Sequence, residues 1–203
     1  MIKAVVFDMF ETLVSLFEGR TYFSENIAED LGVDVLQFQK EWHAIEVDRS
    51  RGKYTIKEGL EIALKKIDAY SEEKVNLAAN KRLDSLEDTF NAIPKESLQL
   101  LKDLKSQGIK IGLMTNTFSD ERDKIVQSPL YPYFDVALIS YEVGMSKPEP
   151  EMYQKMIDLL DLISDPEKAF TPRFDLDEAK QEERYGSCPD YCPFKLLCQE
   201  VFG

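Results

Sequence analysis

Ala4-Val5-Val6-Phe7-Asp8-Met9-Phe10-Glu11-Thr12-Leu13 is the stretch on which the reading of this chain turns. Residues 3–7 are rich in Val and Phe and alternate little, the pattern of a strand buried on both faces of a parallel sheet. The run stops at a carboxylate, Asp8, and passes straight into a turn. An acid at the carboxyl end of a buried strand lies where open α/β sheets bind their ligands.

Outward from this stretch, strands and helices alternate only after a long interruption. Residues 16–90 read as helical throughout. Thr55-Ile56-Lys57-Glu58 is a capping box followed by Leu60, Ala63, Leu64 and Ile67 at helical spacing. Ser71 with Glu72 and Glu73 starts another helix, with Val75, Ala79, Leu83, Leu86 and Phe90 along one face. Trp42 and His43, within the same insertion, are expected to pack there. Pro94 then opens a helix that Gly108 ends. A second strand is expected over 109–114, a short helix capped by Ser119 over 120–127, a third strand over 134–140 and a helix over 148–162. The fold class is therefore α/β, a doubly wound parallel sheet with a Rossmann-like core and an inserted all-helical cap. The domains are the core, 1–15 and 91–163, the cap, 16–90, and a charged tail, 164–203.

The ends of the three expected strands carry Asp8, then Thr115-Asn116, then Ser146-Lys147-Pro148. A carboxylate, a hydroxyl with an amide, and a lysine at one sheet edge suit nucleophilic displacement on an anionic substrate. The carboxylate attacks, and the other groups stabilise the charge that develops.

These residues resemble the motifs of the haloacid dehalogenase-like hydrolases, the helical-cap subfamily. Phe7-Asp8-Met9-Phe10-Glu11-Thr12-Leu13 is similar to the first motif, Thr115-Asn116 to the second and Lys147-Pro148 to the third. The resemblance implies Asp8 as nucleophile through an aspartyl-enzyme intermediate, Thr115 and Asn116 against the transferred group, and Lys147 neutralising nucleophile and intermediate. It also implies Mg²⁺ on Asp8 and the backbone carbonyl of Phe10, and a small phosphorylated or halogenated metabolite as substrate, with Phe10 and Glu11 beside it. Phosphatase is favoured over dehalogenase on family breadth.

Three departures bear on activity. Phosphatases of the family carry a second aspartate where this chain has Phe10, and dehalogenases an aromatic residue. Glu11 stands where glycine is usual. The fourth, acidic motif falls in Phe170-Thr171-Pro172-Arg173-Phe174-Asp175-Leu176-Asp177, where Pro172 and Arg173 spoil the strand. Asp175 and Asp177 are the further metal candidates. The alternative reading is an impaired, non-enzymatic domain or the product of a disrupted gene. A third reading is zinc or iron–sulfur binding by the tail through Cys188, Cys192 and Cys198.

The net charge of −13 and a pI near 4.6 argue against nucleic acid as a partner. No apolar run is long enough to span a membrane and no secretory pattern opens the sequence, so a cytoplasmic location is expected. The sequence does not speak to oligomeric state.

Overall fold

The computed structural model describes residues 2–17 and 19–160. Three parallel strands lie in the order β1 (Ala4–Phe7), β2 (Lys110–Thr115) and β3 (Val136–Ile139). Val5 pairs with Ile111 and Leu113 with Ala137, so Phe7, Leu113 and Ala137 come level near the carboxyl ends. The sheet is parallel, as the alternation of elements predicted. β1 is less buried than its composition suggests: Val6 is 39% exposed, and among the described residues β1 has a strand neighbour on one side only.

Between β1 and β2 the described elements are all helical: α1 (Ser24–Leu31), α2 (Val35–Ala44), α3 (Glu46–Ser50), α4 (Ile56–Lys66), α5 (Glu72–Asn91) and α6 (Lys95–Ser106). The capping signals act as read. Thr55 Oγ1 accepts from the Glu58 N–H while Glu58 Oε2 accepts from the Thr55 N–H, and Ser71 Oγ accepts from the Lys74 N–H. Helices α1, α2, α4 and α5 share a core of their own, centred on Phe38, Trp42, Leu60, Leu64 and Ala79. The buried face of α5 differs from the expected one. Leu83 is 38% exposed, and Arg82 turns inward in its place.

After β2 come α7 (Ser119–Gln127), a 3-10 turn (Tyr131–Tyr133), β3, the single turn α8 (Ser140–Val143) and α9 (Pro150–Leu159). The two faces of β2 illustrate the period of two along a strand. Ile111 and Leu113 enter the cluster with Met9, Leu101, Ile125 and Ile139, while Met114 packs with Leu138, Met152 and Met156. Gly112 sits on the second face, where an added Cβ would meet Met156 Sδ at 2.8 Å. The third strand is shorter than expected because Ser140 already begins a helical turn. Ser119 does not cap α7. Its hydroxyl accepts from the Ile56 N–H at the start of α4, and Glu121 Oε2 takes the Phe118 N–H at the N-cap instead.

Candidate active site

The turn after β1 is held by its own backbone. The N–H groups of Leu13 and Val14 both donate to Met9 O, and the Glu11 N–H donates to Val14 O at 2.7 Å. These bonds force Glu11 to φ +55°, the left-handed region that favours glycine. Its carboxylate compensates locally: Oε1 accepts from the Leu16 N–H at 2.7 Å and Oε2 from Ser15 Oγ at 3.0 Å. Ser97 of α6 then ties the turn to the core by donating to Leu13 O.

Within this turn Asp8 Oδ1 accepts from the Met9 N–H at 2.8 Å, and Oδ2 meets Lys147 Nζ at 2.6 Å. The Asp8 side chain remains 39% exposed, while that of Lys147 is only 12% exposed. The acid is thus oriented yet open to a ligand. Lys147 itself is set by Asn116, whose Oδ1 accepts from the Lys147 N–H at 2.7 Å and whose Nδ2 donates to Lys147 O at 2.9 Å. Clamping both backbone groups of one residue fixes the stem from which the lysine reaches Asp8. The Lys147–Pro148 peptide is cis. Glu149, which starts α9, accepts through Oε1 from the Ser146 hydroxyl at 2.6 Å and from Arg51 of the helical layer.

The remaining sequence-selected residues are placed as follows. Thr115 is fully buried, and its Oγ1 has no hydrogen-bond partner among the described residues. The Phe10 ring lies edge-on to Phe90 at the end of α5, with centroids 6.3 Å apart. Asp175, Asp177, Cys188, Cys192 and Cys198 lie outside the described residues. His43 is exposed, contrary to the expected packing, whereas Trp42 is buried as expected. No group of three potential metal ligands occurs among the described residues. The two candidate ligands within the described residues, the Asp8 carboxylate and the Phe10 carbonyl, are both oxygen, which suits a hard cation that retains waters.

The helical layer meets the carboxyl ends of β2 and β3. Ser50 Oγ and Ser140 Oγ share a buried hydrogen bond of 3.0 Å, and Ser140 Oγ also accepts from the Thr117 N–H at 2.8 Å. At Gly52 an added Cβ would stand 2.3 Å from Tyr141 O, so a side chain there would force the layers apart. Nearby, Arg82 of α5 reaches α7: its Nε donates to Asp120 Oδ2 at 3.0 Å and its Nη2 to Glu121 Oε1 at 2.5 Å. Burial pushes the Glu121 carboxyl up to about 7, with the Arg82 charge opposing. Sequence reading passed over Arg82, Asp120 and Glu121 because charged residues in helices ordinarily face water.

No helix among the described residues is long and apolar enough to cross a membrane. Among curated proteins, the chain is 36% identical over 74 residues to bifunctional epoxide hydrolase 2 of Rattus norvegicus, covering 34% of this chain and 13% of that protein. It is 35% identical over 60 residues to phosphoserine phosphatase of Thermus thermophilus, covering 29% of this chain and 24% of that one. Both matches therefore span well under half of the relatives' own lengths.

Among solved structures, it is similar to a haloacid dehalogenase family enzyme of Bacteroides thetaiotaomicron in complex with magnesium and inorganic phosphate. The TM-score is 0.55 and the identity 19%, over 78% of each chain. A predicted hydrolase of the same type from Porphyromonas gingivalis has a TM-score of 0.55 and 20% identity, over 78% of this chain and 76% of that one. At these identities the likeness concerns the fold. The family model for haloacid dehalogenase-like hydrolases matches residues 2–170, most of the chain, and the chain belongs to that family.

Proposed function

We propose that this chain hydrolyses a small phosphorylated metabolite in the cytoplasm through an aspartyl-enzyme intermediate at Asp8, with a halogenated acid as the second substrate class. The observation that carries the reading is the contact of Asp8 Oδ2 with Lys147 Nζ at 2.6 Å, on a lysine whose backbone Asn116 holds from both sides. In the first step an Asp8 oxygen attacks phosphorus and the bond to the leaving oxygen breaks. In the second, water cleaves the acyl phosphate and regenerates the carboxylate. Lys147 lies where negative charge gathers in both steps. Thr115 and Asn116 would flank the transferred group, and Phe10 and Glu11 the substrate. On this reading residues 16–90 form the cap over a core of 1–15 and 91–163.

The match to a phosphoserine phosphatase and the fold shared with an enzyme in complex with magnesium and phosphate support phosphate as the transferred group. Mg²⁺, held by Asp8 and the Phe10 carbonyl with Asp175 or Asp177 as further acids, would supply charge neutralisation at the phosphoryl oxygens. Phe10 supplies no proton, so the leaving oxygen would take one from water.

A second reading, an impaired domain retained for binding, is favoured by Phe10, which stands where phosphatases of the family carry an acid. Assay of p-nitrophenyl phosphate and 2-chloropropionate with Mg²⁺, for the chain and its Asp8→Asn variant, separates the two. Asp8-dependent turnover of either supports the enzyme, and phosphate release gives the first class. No turnover of either, or turnover that survives Asp8→Asn, overturns it.

A further inference from the structure

Arg49, at the end of α3, is 3% exposed, yet its guanidinium makes no hydrogen bond or ion pair with the described residues. The group is held by aromatic faces instead. Its Cζ lies 3.6 Å from the Trp42 ring centroid and 4.2 Å from that of Phe118. The two rings contact the guanidinium but accept none of its N–H groups, which leaves its donors for another partner. A buried cation without a hydrogen-bonded partner is costly, so an arrangement that creates one calls for an explanation. Gly59 of α4 is part of it: an added Cβ would stand 2.7 Å from Arg49 Cδ and 3.3 Å from Trp42, so the bare backbone makes room for the arginine stem.

Arg49 lines a cavity of about 260 Å³ between the helical layer and α7, with Tyr22, Ser24, Trp42, Phe118 and Asp120. Burial lowers the Arg49 pKa to about 10, against the opposing pull of Asp120, Glu46 and Glu121, so the group stays charged at neutral pH. A second polar atom on the same cavity wall is unmatched. Asp120 spends Oδ2 on Arg82, while its Oδ1 is buried without a partner among the described residues. The cavity therefore offers unmet donors on Arg49 and an unmet acceptor on Asp120. It adjoins the end of β2, since Phe118 and Asp120 follow Asn116 by two and four residues.

We propose that this cavity is the recognition subsite for the non-reacting end of the substrate, a monocarboxylate bearing an adjacent O–H or N–H donor. The carboxylate takes the free N–H donors of Arg49, and the neighbouring donor satisfies Asp120 Oδ1. A dianion is disfavoured because Asp120 and Glu46 share the cavity lining. A plain carboxylate would leave Asp120 Oδ1 unmatched, which carries the usual cost of a buried, unsatisfied acceptor. This assignment rests on the hydrolase reading, but its test involves no turnover.

Trp42 is the single tryptophan of the chain and stacks directly on Arg49, so its fluorescence reports occupancy. The full chain is titrated with glycolate and with L-serine, which separates hydroxyl from amine as the donor, and with glycolamide, propionate and inorganic phosphate. Saturable binding of glycolate or L-serine, at least about tenfold tighter than glycolamide and propionate, and lost in Arg49→Met, is the expected result. Gly59→Ala, which displaces the arginine stem while favouring the helix, should weaken binding about fivefold or more and serves where Arg49→Met does not fold. No saturable carboxylate response, or equal affinity in Gly59→Ala or a folded Arg49→Met, overturns the subsite. Equal affinity for propionate overturns the paired-donor form, and phosphate binding that is tighter than glycolate and lost in Arg49→Met overturns the monocarboxylate. Because the titration reads occupancy at Trp42 and involves no turnover, lack of turnover and lack of the subsite are read separately.

Discussion

Asp8 and Lys147 are 139 residues apart in sequence and meet at 2.6 Å across the carboxyl edge of the sheet. The Asp8 side chain is the more open of the two, and the Met9 N–H steadies its other oxygen. Asp8→Asn keeps the shape and loses the proposed nucleophile. Turnover of p-nitrophenyl phosphate should fall by about 10³-fold or more, with an unchanged circular dichroism spectrum. Activity within tenfold of the starting chain would remove Asp8 from the mechanism.

Asn116 acts on the same pair at one remove. Asn116→Ala deletes both bonds to the Lys147 backbone. Each is worth about 1 kcal/mol net, so the stability loss measured by urea unfolding should be small. The lysine, no longer fixed at its stem, should lose its hold on Asp8, and kcat should drop more than KM rises. An equal loss in Lys147→Met and in the double variant would show that both act through one contact.

Arg82 joins the helical layer to α7 through two buried acids. Arg82→Met leaves Asp120 and Glu121 buried without their cation. Loss of one partner of a buried ion pair typically costs about 3–5 kcal/mol. The midpoint of chemical denaturation should fall accordingly, and a change below about 1 kcal/mol would mean that the pair behaves as a solvated one.

The sheet edge that carries Asp8 could be read from sequence where local pattern and chemistry coincide. Val5-Val6-Phe7 ends in Asp8, and Thr55 with Glu58 announces a helix start that the structure contains. The left-handed backbone at Glu11 gives the physical reason for the glycine usual at that place. What could not be read depends on partners distant in sequence. Arg82 lies 38 and 39 residues from the acids it pairs with, and Ser119 gives its hydroxyl to Ile56, 63 residues away, instead of to its own helix. Arg49 carries no polar signal because aromatic faces hold it. Its trace in sequence is Gly59 in mid-helix, where an alanine would favour the helix more.

Glu121 makes stability depend on pH in a defined direction. Burial raises its carboxyl from the ordinary 4.5 to about 7 in the folded chain. Between those values the folded state binds the proton more tightly than the unfolded one, so this group's contribution to stability falls as pH rises through the window and levels off above it. Glu121→Gln should flatten the slope of the unfolding free energy between about pH 4.5 and 7. A slope identical in the two proteins would assign the pH dependence to other groups.

Lys147 competes with any cation that approaches Asp8. Two unit charges 4 Å apart interact by about 4 kcal/mol at the effective dielectric of a protein surface. Lys147 Nζ is closer than that to Asp8 Oδ2, though the partial exposure of Asp8 weakens the effect. Lys147→Met should therefore tighten Mg²⁺ binding about fivefold or more by calorimetry, while lowering turnover. The two effects move in opposite directions because the lysine neutralises the charge that a cation would seek and, in the proposed mechanism, stabilises the charge that the reaction creates. Asp8→Asn should abolish Mg²⁺ binding in both backgrounds. Mg²⁺ affinity unchanged by Lys147→Met would place the cation away from Asp8 and separate metal binding from this carboxylate.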